Sequence, residues 1–352
     1  MKITVAVPCY NLEERIATCL ESVISQDFQE MEILVIDDHS TDRSVEIVRD
    51  IMVKHPEREF HFVVNETNLG INHVRNMAID KAKGEALFFV DGDDTIELGT
   101  LSLLHRRMEE CQAEVVYGSY RKNNYEGNTF FTKQYSDASI KGSFAFASYI
   151  EKYNNGSFCV AVWNNLYRLD FIKSHAIYCD THYRNYEDCL FTFKVALHAQ
   201  SISFIPNVTY NYYDVPVSIS HKKIDLNFFN TYRAVIESVF NAKNIFESCH
   251  KDVRIPRGIS FLLNYICLTN GCLKRALESE VSKCEKKQFL KWLRELYGKY
   301  GMNWSSIEGA FNRISYLILK SPFSYPLFCF YFKNLKTIAK IVNYITAKKV
   351  SI

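Results

Sequence analysis

The chain has 352 residues, more than one hydrophobic core usually holds, so we expect a large domain and a smaller companion. Its 47% hydrophobic and 23% charged residues exclude an intrinsically disordered protein. A net charge of +2 provides no general attraction to nucleic acid, and no nucleic-acid partner is expected.

Cysteine usage and apolar run lengths bear on where the protein works. The eleven cysteines are scattered without a C-x-x-C pair, which is typical of reduced thiols in a cytoplasmic protein. The apolar run at residues 3–7 is too short for a signal peptide. No run approaches the roughly 20 apolar residues of a membrane-spanning helix. We therefore expect a cytoplasmic protein, either soluble or peripheral at the inner face of the cell membrane.

The first half of the chain alternates short apolar runs with amphipathic stretches. Asn11, followed three residues later by Glu14, is predicted to cap the first helix, and Ser40 or Thr41 to cap the second. This alternation indicates an α/β fold with a mostly parallel, Rossmann-like sheet and helices on both faces. Its strands are predicted at residues 3–7, 33–36, 60–64 and 87–90.

Polar segments follow three of these strands at their C-terminal ends. They are residues 8–11, the pair Asp37 and Asp38, and residues 91–94. Right-handed crossovers bring the C-terminal ends of parallel strands to one edge of the sheet, where the ligands of such sheets bind. We therefore expect these segments to form one site.

Acidic side chains dominate this edge. Asp91 and Asp93 are two residues apart in extended chain, so they point to the same side and can share an ion. Their hard oxygens suit Mg²⁺ or Mn²⁺, which complete their shells with substrate phosphates. Asp38 can accept hydrogen bonds from a base or ribose, and Arg75 can face a diphosphate. The pattern predicts a pocket for a metal and a nucleotide diphosphate.

Each of these residues also has a plainer interpretation. Asp94 or Thr95 can cap the next helix, and Asp91 can be an ordinary turn residue. We prefer the cap for Asp94 and the ligand role for Asp91 and Asp93. Arg75 is equally consistent with a solvated helical arginine.

Four segments, in this order and spacing, resemble successive motifs of one enzyme family. They are "VAVPCYNLEERIATCLESVISQ", "EILVIDDHSTDRS", "NETNLGINHVRNMAI" and "GEALFFVDGDD". The family is the inverting family 2 glycosyltransferases with the GT-A fold, including those that build bacterial surface polysaccharides. The resemblance covers roughly residues 1–225.

The resemblance implies a hexosyl- or N-acetylhexosaminyltransferase that uses a nucleotide-diphosphate sugar, with a UDP-sugar expected. It implies that Asp91 and Asp93 hold the divalent metal. One departure is His39, because a Gly is usual after the paired aspartates. The nucleotide-sugar contacts that the resemblance implies are Pro8, Tyr10, Asn11, Asp38, Arg75 and Asp91.

Transfer also requires a base that takes the proton of the acceptor hydroxyl. Glu187 and Asp188 begin an amphipathic stretch, and an acidic pair at this place supplies the base in the resembling family. The resemblance implies that Asp188, the second residue of the pair, is the base and that Glu187 lies on the acceptor side. The alternative is that both acids only complement the N-terminus of a helix.

Two further segments resemble later parts of the family. In "CVAVWNNLYRLDFI", Trp163 and Asn164 map to the acceptor side, where an indole can stack on a sugar ring. A core tryptophan is nearly as good an interpretation. In "YNYYDVPVSISH", His221 is a candidate metal or phosphate ligand, although a lone His is more often structural or solvated.

The sequence predicts a catalytic domain at 1–222 and a helical C-terminal region at 223–352. Helices are predicted at 228–246, 259–277 and 289–297. The segment 311–352 carries seven basic residues and no Asp or Glu, interleaved with aromatic residues. It is compatible with peripheral contact to an anionic membrane, which suits a lipid-linked acceptor, and equally with a helix packed on the protein.

Other functional classes fit the sequence less well. A sugar-nucleotidyltransferase needs a glycine-rich phosphate loop after the first strand, and "PCYNLEER" has no glycine. A receiver-like signalling module places its paired acids after the first strand, whereas here the pairs follow the second and fourth. A degenerate relative that binds donor without transfer is the remaining alternative, although Asp38, Asp91, Asp93 and Asp188 are all present.

Overall fold

The computed structural model describes residues 1–153, 161–182, 187–214, 226–249 and 281–299. The chain divides into two compact units, residues 1–222 and residues 223–352. The first unit contains the sheet that the sequence predicts, and the described part of the second is helical.

The parallel half of the sheet follows the predicted alternation closely. Strands β2, β1 and β4 are buried along their whole length because helices cover both faces, which explains their uninterrupted apolar residues. Strand β3 lies at the edge and is only partly buried. The elements are β1 (Ile3–Cys9), α1 (Ile16–Ile24), β2 (Met31–Asp37), α2 (Ser44–Lys54), β3 (Glu59–Val64), α3 (Ile71–Lys81) and β4 (Ala86–Phe89).

The other half of the sheet is mixed. Strand β9 runs antiparallel between β4 and β6, and β10 then lies parallel to β6. The main order is β3-β2-β1-β4-β9-β6-β10-β5, with β7 paired to β6 and β8 to β10. The elements are β5 (Thr95–Ile96), α4 (Thr100–Cys111), β6 (Val115–Asn124), β7 (Thr129–Lys133), β8 (Ala138–Lys141), α5 (Ala145–Tyr153), β9 (Asn165–Arg168), α6 (Leu169–Ser174), α7 (Glu187–His198) and β10 (Ser201–Asp214).

The predicted helix caps are wrong. Helix α1 begins at Ile16 and α2 at Ser44, and neither N-terminus has a side-chain cap. Asn11 instead adopts a positive φ of 51°, and Ser40 lies before α2 in a loop. Both polar residues are used to join the loops that precede the two helices.

In the second unit, helix α8 (Leu226–Cys249) and helix α9 (Lys283–Lys299) are described. Trp292 of α9 donates to Glu237 Oε1 of α8 at 2.9 Å, and the Arg233 guanidinium lies 4.8 Å from the centre of its ring. The predicted helix at 259–277, the basic segment 311–352 and His221 lie outside the described residues. Among the described helices, none combines the length and apolar character that a bilayer crossing demands.

Candidate functional site

The loops after β1 and β2 are hydrogen-bonded to each other. The backbone N–H of Asn11 donates to Ser40 Oγ at 2.9 Å, and that of Leu12 donates to Ser44 Oγ at 2.7 Å. In return, Asn11 Oδ1 accepts the backbone N–H of Thr41 at 2.8 Å. These bonds fix both loops as one platform beside Pro8, at the C-terminal edge of the sheet. Tyr10 projects from it with 47% of its surface exposed, so its ring is available to a ligand.

Asp38 organises the loop that leads into helix α3. Its buried carboxylate accepts the side chain of Asn65 at 2.9 Å and the backbone N–H groups of Leu69 and Gly70 at 2.9 and 2.7 Å. Because Gly70 directly precedes α3, Asp38 sets the position of the helix that carries Arg75. This positioning function accounts for the carboxylate independently of the predicted nucleoside contact, which stays a prediction.

The residue after the paired aspartates has left-handed backbone geometry. His39 has a φ of 65°, which explains why glycine is usual at this place in the resembling family. A side chain in this region costs about 1–2 kcal/mol because its Cβ crowds the following carbonyl oxygen. The surrounding hydrogen bonds stabilise the turn, including the backbone N–H of Ser40, which donates to Asp37 Oδ1 at 2.9 Å.

The acidic turn after β4 packs tightly against the loop after β1. A Cβ added to Gly92 would lie 2.7 Å from the carbonyl oxygen of Pro8 and 2.8 Å from Cδ1 of Leu12. No ordinary side chain fits at that distance, so glycine permits this close approach. The turn therefore holds Asp91 and Asp93 against the platform.

The predicted capping role of Asp94 is wrong. The turn leads into strand β5, and helix α4 begins only at Thr100. Asp94 is buried, accepts the Tyr210 hydroxyl at 2.8 Å and accepts the backbone N–H of Tyr213 at 2.8 Å. The Tyr210 hydroxyl also accepts the backbone N–H of Asp91 at 3.1 Å. Asp94 thus ties the acidic turn to strand β10.

Asp93 has the electrostatic character of a cation ligand. Burial, and then the neighbouring charge of Asp91, raise the pKa of its carboxyl to about 6, against the opposing effects of Arg15 and Arg75. No side chain of the described residues donates a hydrogen bond to this carboxylate. A divalent cation would remove the repulsion between the two acids. The donor set therefore fits Mg²⁺ or Mn²⁺, both of which prefer carboxylate oxygens.

Arg75 joins the acidic turn to the predicted base. Its Nη1 donates to Asp188 Oδ1 at 2.7 Å and its Nη2 to Asp91 Oδ1 at 3.1 Å. Only 4% of the Arg75 side chain is exposed, so the interpretation as a solvated arginine is wrong. Burial raises the pKa of Asp188, while Arg75 acts in the opposite direction. The side chain of Glu187, the predicted acceptor-side residue, lies outside the described part of the chain.

Trp163 and Asn164 are both buried. The Trp163 ring is 8% exposed and stacks on Tyr210 with centroids 4.5 Å apart. Asn164 has a φ of 62° and donates to Gly118 O at 2.7 Å, while its Oδ1 accepts the Thr209 hydroxyl at 2.7 Å. Both residues have structural partners in the core, and their predicted acceptor contacts stay predictions.

Sequence reasoning missed Arg15. Its guanidinium lies 4.4 Å from the centre of the Tyr125 ring and 5.0 Å from that of Tyr213, and its charge lowers the pKa of Asp93. Its buried Nε has no hydrogen-bond partner among the described residues. Arg15 therefore adds a second cation beside Asp93. Its position in an amphipathic segment gave no signal, because both aromatic partners are more than 100 residues away.

Comparison with known proteins finds similarity to glycosyltransferases. The family model "Glycosyl transferase family 2" matches residues 4–174. The glycosyltransferase GlyA of Streptococcus pneumoniae serotype 4 (strain ATCC BAA-334 / TIGR4) is 33% identical over 178 residues, covering 50% of this chain and 23% of GlyA. The uncharacterized glycosyltransferase EpsJ of Bacillus subtilis (strain 168) is 24% identical over 293 residues, covering 80% of this chain and 81% of EpsJ.

The fold is found in a solved relative. The crystal structure of S. aureus TarS 1–349 in complex with UDP-GlcNAc superposes with a TM-score of 0.70 at 24% identity, over 96% of this chain and 92% of that one. In sequence, the poly(ribitol-phosphate) beta-N-acetylglucosaminyltransferase TarS of Staphylococcus aureus (strain MW2) is 28% identical over 80% of this chain and 47% of its own length. The predicted GT-A fold is therefore confirmed. The comparisons thus support a family 2 glycosyltransferase, with the family match extending over residues 4–174.

Proposed function

We propose that the protein is a metal-dependent inverting glycosyltransferase that moves a sugar from a UDP-sugar to a hydroxyl group of a glycan or lipid-linked acceptor. The observation that carries the proposal is the bridge made by Arg75. One buried guanidinium contacts both Asp91, from the acidic turn, and Asp188, at the start of α7. The proposed leaving-group site and the proposed base therefore lie side by side, as a displacement at one carbon atom requires.

The proposed donor follows from the platform and from the relatives. The end of β1 provides Pro8, and the hydrogen-bonded loops after β1 and β2 provide Tyr10, Asn11 and Asp38, at the sheet edge where nucleotides commonly bind. TarS, which has the same fold, was crystallised with UDP-GlcNAc. A UDP-hexose or UDP-N-acetylhexosamine is therefore the proposed donor.

In the proposed mechanism, Asp91 and Asp93 would hold Mn²⁺ or Mg²⁺, and His221 is a candidate further ligand. When bound, the metal acts as a Lewis acid that stabilises negative charge on the departing diphosphate. Asp188 removes the proton of the acceptor hydroxyl, which then attacks the anomeric carbon from the face opposite the diphosphate. Arg75 holds Asp188 in place, and its positive charge opposes the rise in the pKa of Asp188 that burial causes.

The proposed acceptor class follows from a relative. TarS is named for transfer to poly(ribitol-phosphate), which favours a surface glycan as the acceptor class. We assign Trp163, Asn164 and Glu187 to this side. Peripheral membrane contact through 311–352 would bring the protein to a lipid-linked acceptor at the inner face of the cell membrane.

The first experiment screens UDP- and GDP-sugars for Mn²⁺-dependent hydrolysis and then compares variants with the best donor. Asp188→Asn should leave donor affinity unchanged and lower turnover at least about a hundredfold, the lower limit of a general-base contribution. Asp80→Asn is the matched control, because Asp80 is an exposed aspartate on α3 that contacts Tyr178. Near-normal turnover of Asp188→Asn would remove Asp188 from the role of base. Normal donor binding without turnover in the wild type would favour a degenerate relative.

A further inference from the structure

A second group of side chains that could bind a metal lies at the N-terminal end of the parallel strands, opposite the acidic site. Glu32 is the second residue of β2, whereas Asp37 ends that strand at the acidic site. Asp37 is five positions after Glu32, and five steps of about 3.3 Å along a strand separate the two residues by roughly 17 Å. The group consists of Glu32, Glu59 and His61, and it is therefore separate from the proposed catalytic centre.

Sheet geometry brings the three side chains together. Glu32 is the register partner of Glu59 on the neighbouring strand β3. Glu59 and His61 are two residues apart on β3, so their side chains point to the same face. One potential ligand atom from each of the three residues lies within 4.8 Å of the others. His61 Nε2 lies 3.1 Å from Glu59 Oε1 and 3.3 Å from Glu32 Oε2.

The buried oxygen of Glu32 indicates that this group binds a ligand. Glu32 is 1% exposed, and its Oε1 accepts the hydroxyl of Thr4 and the backbone N–H of Lys83. Its Oε2 has no hydrogen-bond donor among the described residues and faces His61. A buried carboxylate oxygen without a donor is costly, so this atom calls for a positive partner.

His61 Nε2 cannot form a favourable contact with all of its charged neighbours at once. His61 Nε2 is 3.3 Å from Lys83 Nζ as well as from the two carboxylates. If Nε2 carries a hydrogen, it can donate to a carboxylate but cannot accept from the Lys83 ammonium; if it does not, it can accept from the ammonium but cannot donate to either carboxylate. A cation between the three ligand atoms removes both conflicts. Lys2 does not compete for this place, because it binds the other oxygen of Glu59, Oε2, at 2.7 Å.

Two of the three separations between ligand atoms are close to those around a tetrahedral metal. Zn²⁺ binds His nitrogen and carboxylate oxygen at about 2.0–2.2 Å, which places tetrahedral ligands roughly 3.3–3.5 Å apart. The separations of 3.1 and 3.3 Å from His61 Nε2 are close to that range. One nitrogen with two oxygens favours a zinc-like ion over Mg²⁺, which prefers oxygen ligands.

We propose that Glu32, Glu59 and His61 form a divalent zinc-class site that fastens the edge strand β3 to β2. Three protein ligands leave the fourth position to water, which replaces the ammonium of the exposed Lys83. Because β3 is the outermost strand of the main path and only partly buried, a cross-link there stabilises its pairing with β2.

The test measures zinc binding to the metal-stripped full chain by competition with a chromogenic chelator. The wild type should bind one equivalent of zinc that neither His61→Gln nor Glu59→Gln binds. His55→Gln is the matched control, because His55 also contacts two glutamates, Glu21 and Glu57, but these are well exposed. This variant should bind zinc as the wild type does. Glu32 is left unchanged because its buried carboxylate also holds Thr4.

Two further measurements distinguish this site from thiols and from the catalytic metal. Co²⁺ bound at the site should show tetrahedral absorption without sulfur charge transfer, which excludes the exposed Cys249 and Cys284. Zn²⁺ should raise the melting temperature of wild type but not of His61→Gln, while Mn²⁺-dependent UDP binding stays equal in both. No zinc on the wild type, or equal zinc on His61→Gln, would overturn the proposal whatever the outcome for donor binding.

Discussion

Replacing Arg75 with glutamine tests the link between the acidic turn and the base. The guanidinium is 4% exposed and is shared by Asp91 and Asp188, whose side chains are 25% and 26% exposed. Glutamine retains a hydrogen-bond donor but removes the charge. Two largely buried carboxylates are then left without the cation that opposes their repulsion.

The expected cost follows from the burial of this group. Removing one partner of a buried ion pair typically costs about 3–5 kcal/mol, and the partial exposure of the two aspartates points to about 3 kcal/mol. Adding Asp188→Asn to Arg75→Gln removes one of the two carboxylate charges that have lost their cation. The double variant should therefore be more stable than the sum of the single effects implies, by about 1–2 kcal/mol.

The assay is urea unfolding without metal, followed by the fluorescence of Trp163. Because the chain has three tryptophans, Trp292 and Trp304 are first replaced with phenylalanine so that the signal reports on the first unit. A loss of about 3 kcal/mol lowers the midpoint by about 1 M if m is about 3 kcal/mol/M. Arg75→Gln within about 0.5 kcal/mol of wild type, or strictly additive effects in the double variant, would refute the coupling that we assign to Arg75.

Three other outcomes are expected. The rate should fall as the pH drops through the pKa of Asp188, which burial raises. Arg75→Gln should move this fall to higher pH, because the arginine opposes the rise in that pKa. A pH profile of kcat/KM that is the same in wild type and variant contradicts this expectation. Gly92→Ala should destabilise the acidic turn by about 1–3 kcal/mol and weaken UDP binding, because its Cβ meets the backbone of Pro8, and unchanged calorimetric affinity would show that the turn can relax. Early proton NMR spectra of hydrolysis of an α-linked donor should show the β-sugar first, whereas an α-sugar would exclude inversion.

Sequence patterning predicted the parallel half of the sheet well, for a physical reason. Strands β1, β2 and β4 are covered on both faces, so continuous apolar runs mark them plainly. The mixed half was not resolved strand by strand. There, β10 carries the buried Tyr210 and register shifts, and β5 is only two residues long. Neither feature produces a simple period in the sequence.

At the site, the sequence identified which residues are polar at strand ends but not what each one contacts. Asp94 was assigned to a helix cap because caps depend on local spacing, whereas its partners Tyr210 and Tyr213 are about 120 residues away. Asn11 was misassigned in the same way, since it bonds across to Thr41. The pairing of Arg75 with Asp188 also spans more than 100 residues, so only the fold reveals it.

The most direct test of the proposed site is the calorimetric affinity of UDP with and without Mn²⁺, in wild type and in Asp93→Asn. This substitution keeps the size of the side chain while removing the charge that Asp91 and burial make costly. Mn²⁺ should strengthen UDP binding to wild type and have no effect on UDP binding to the variant. Equal strengthening by Mn²⁺ in both proteins would contradict the assignment of the metal to the acidic turn.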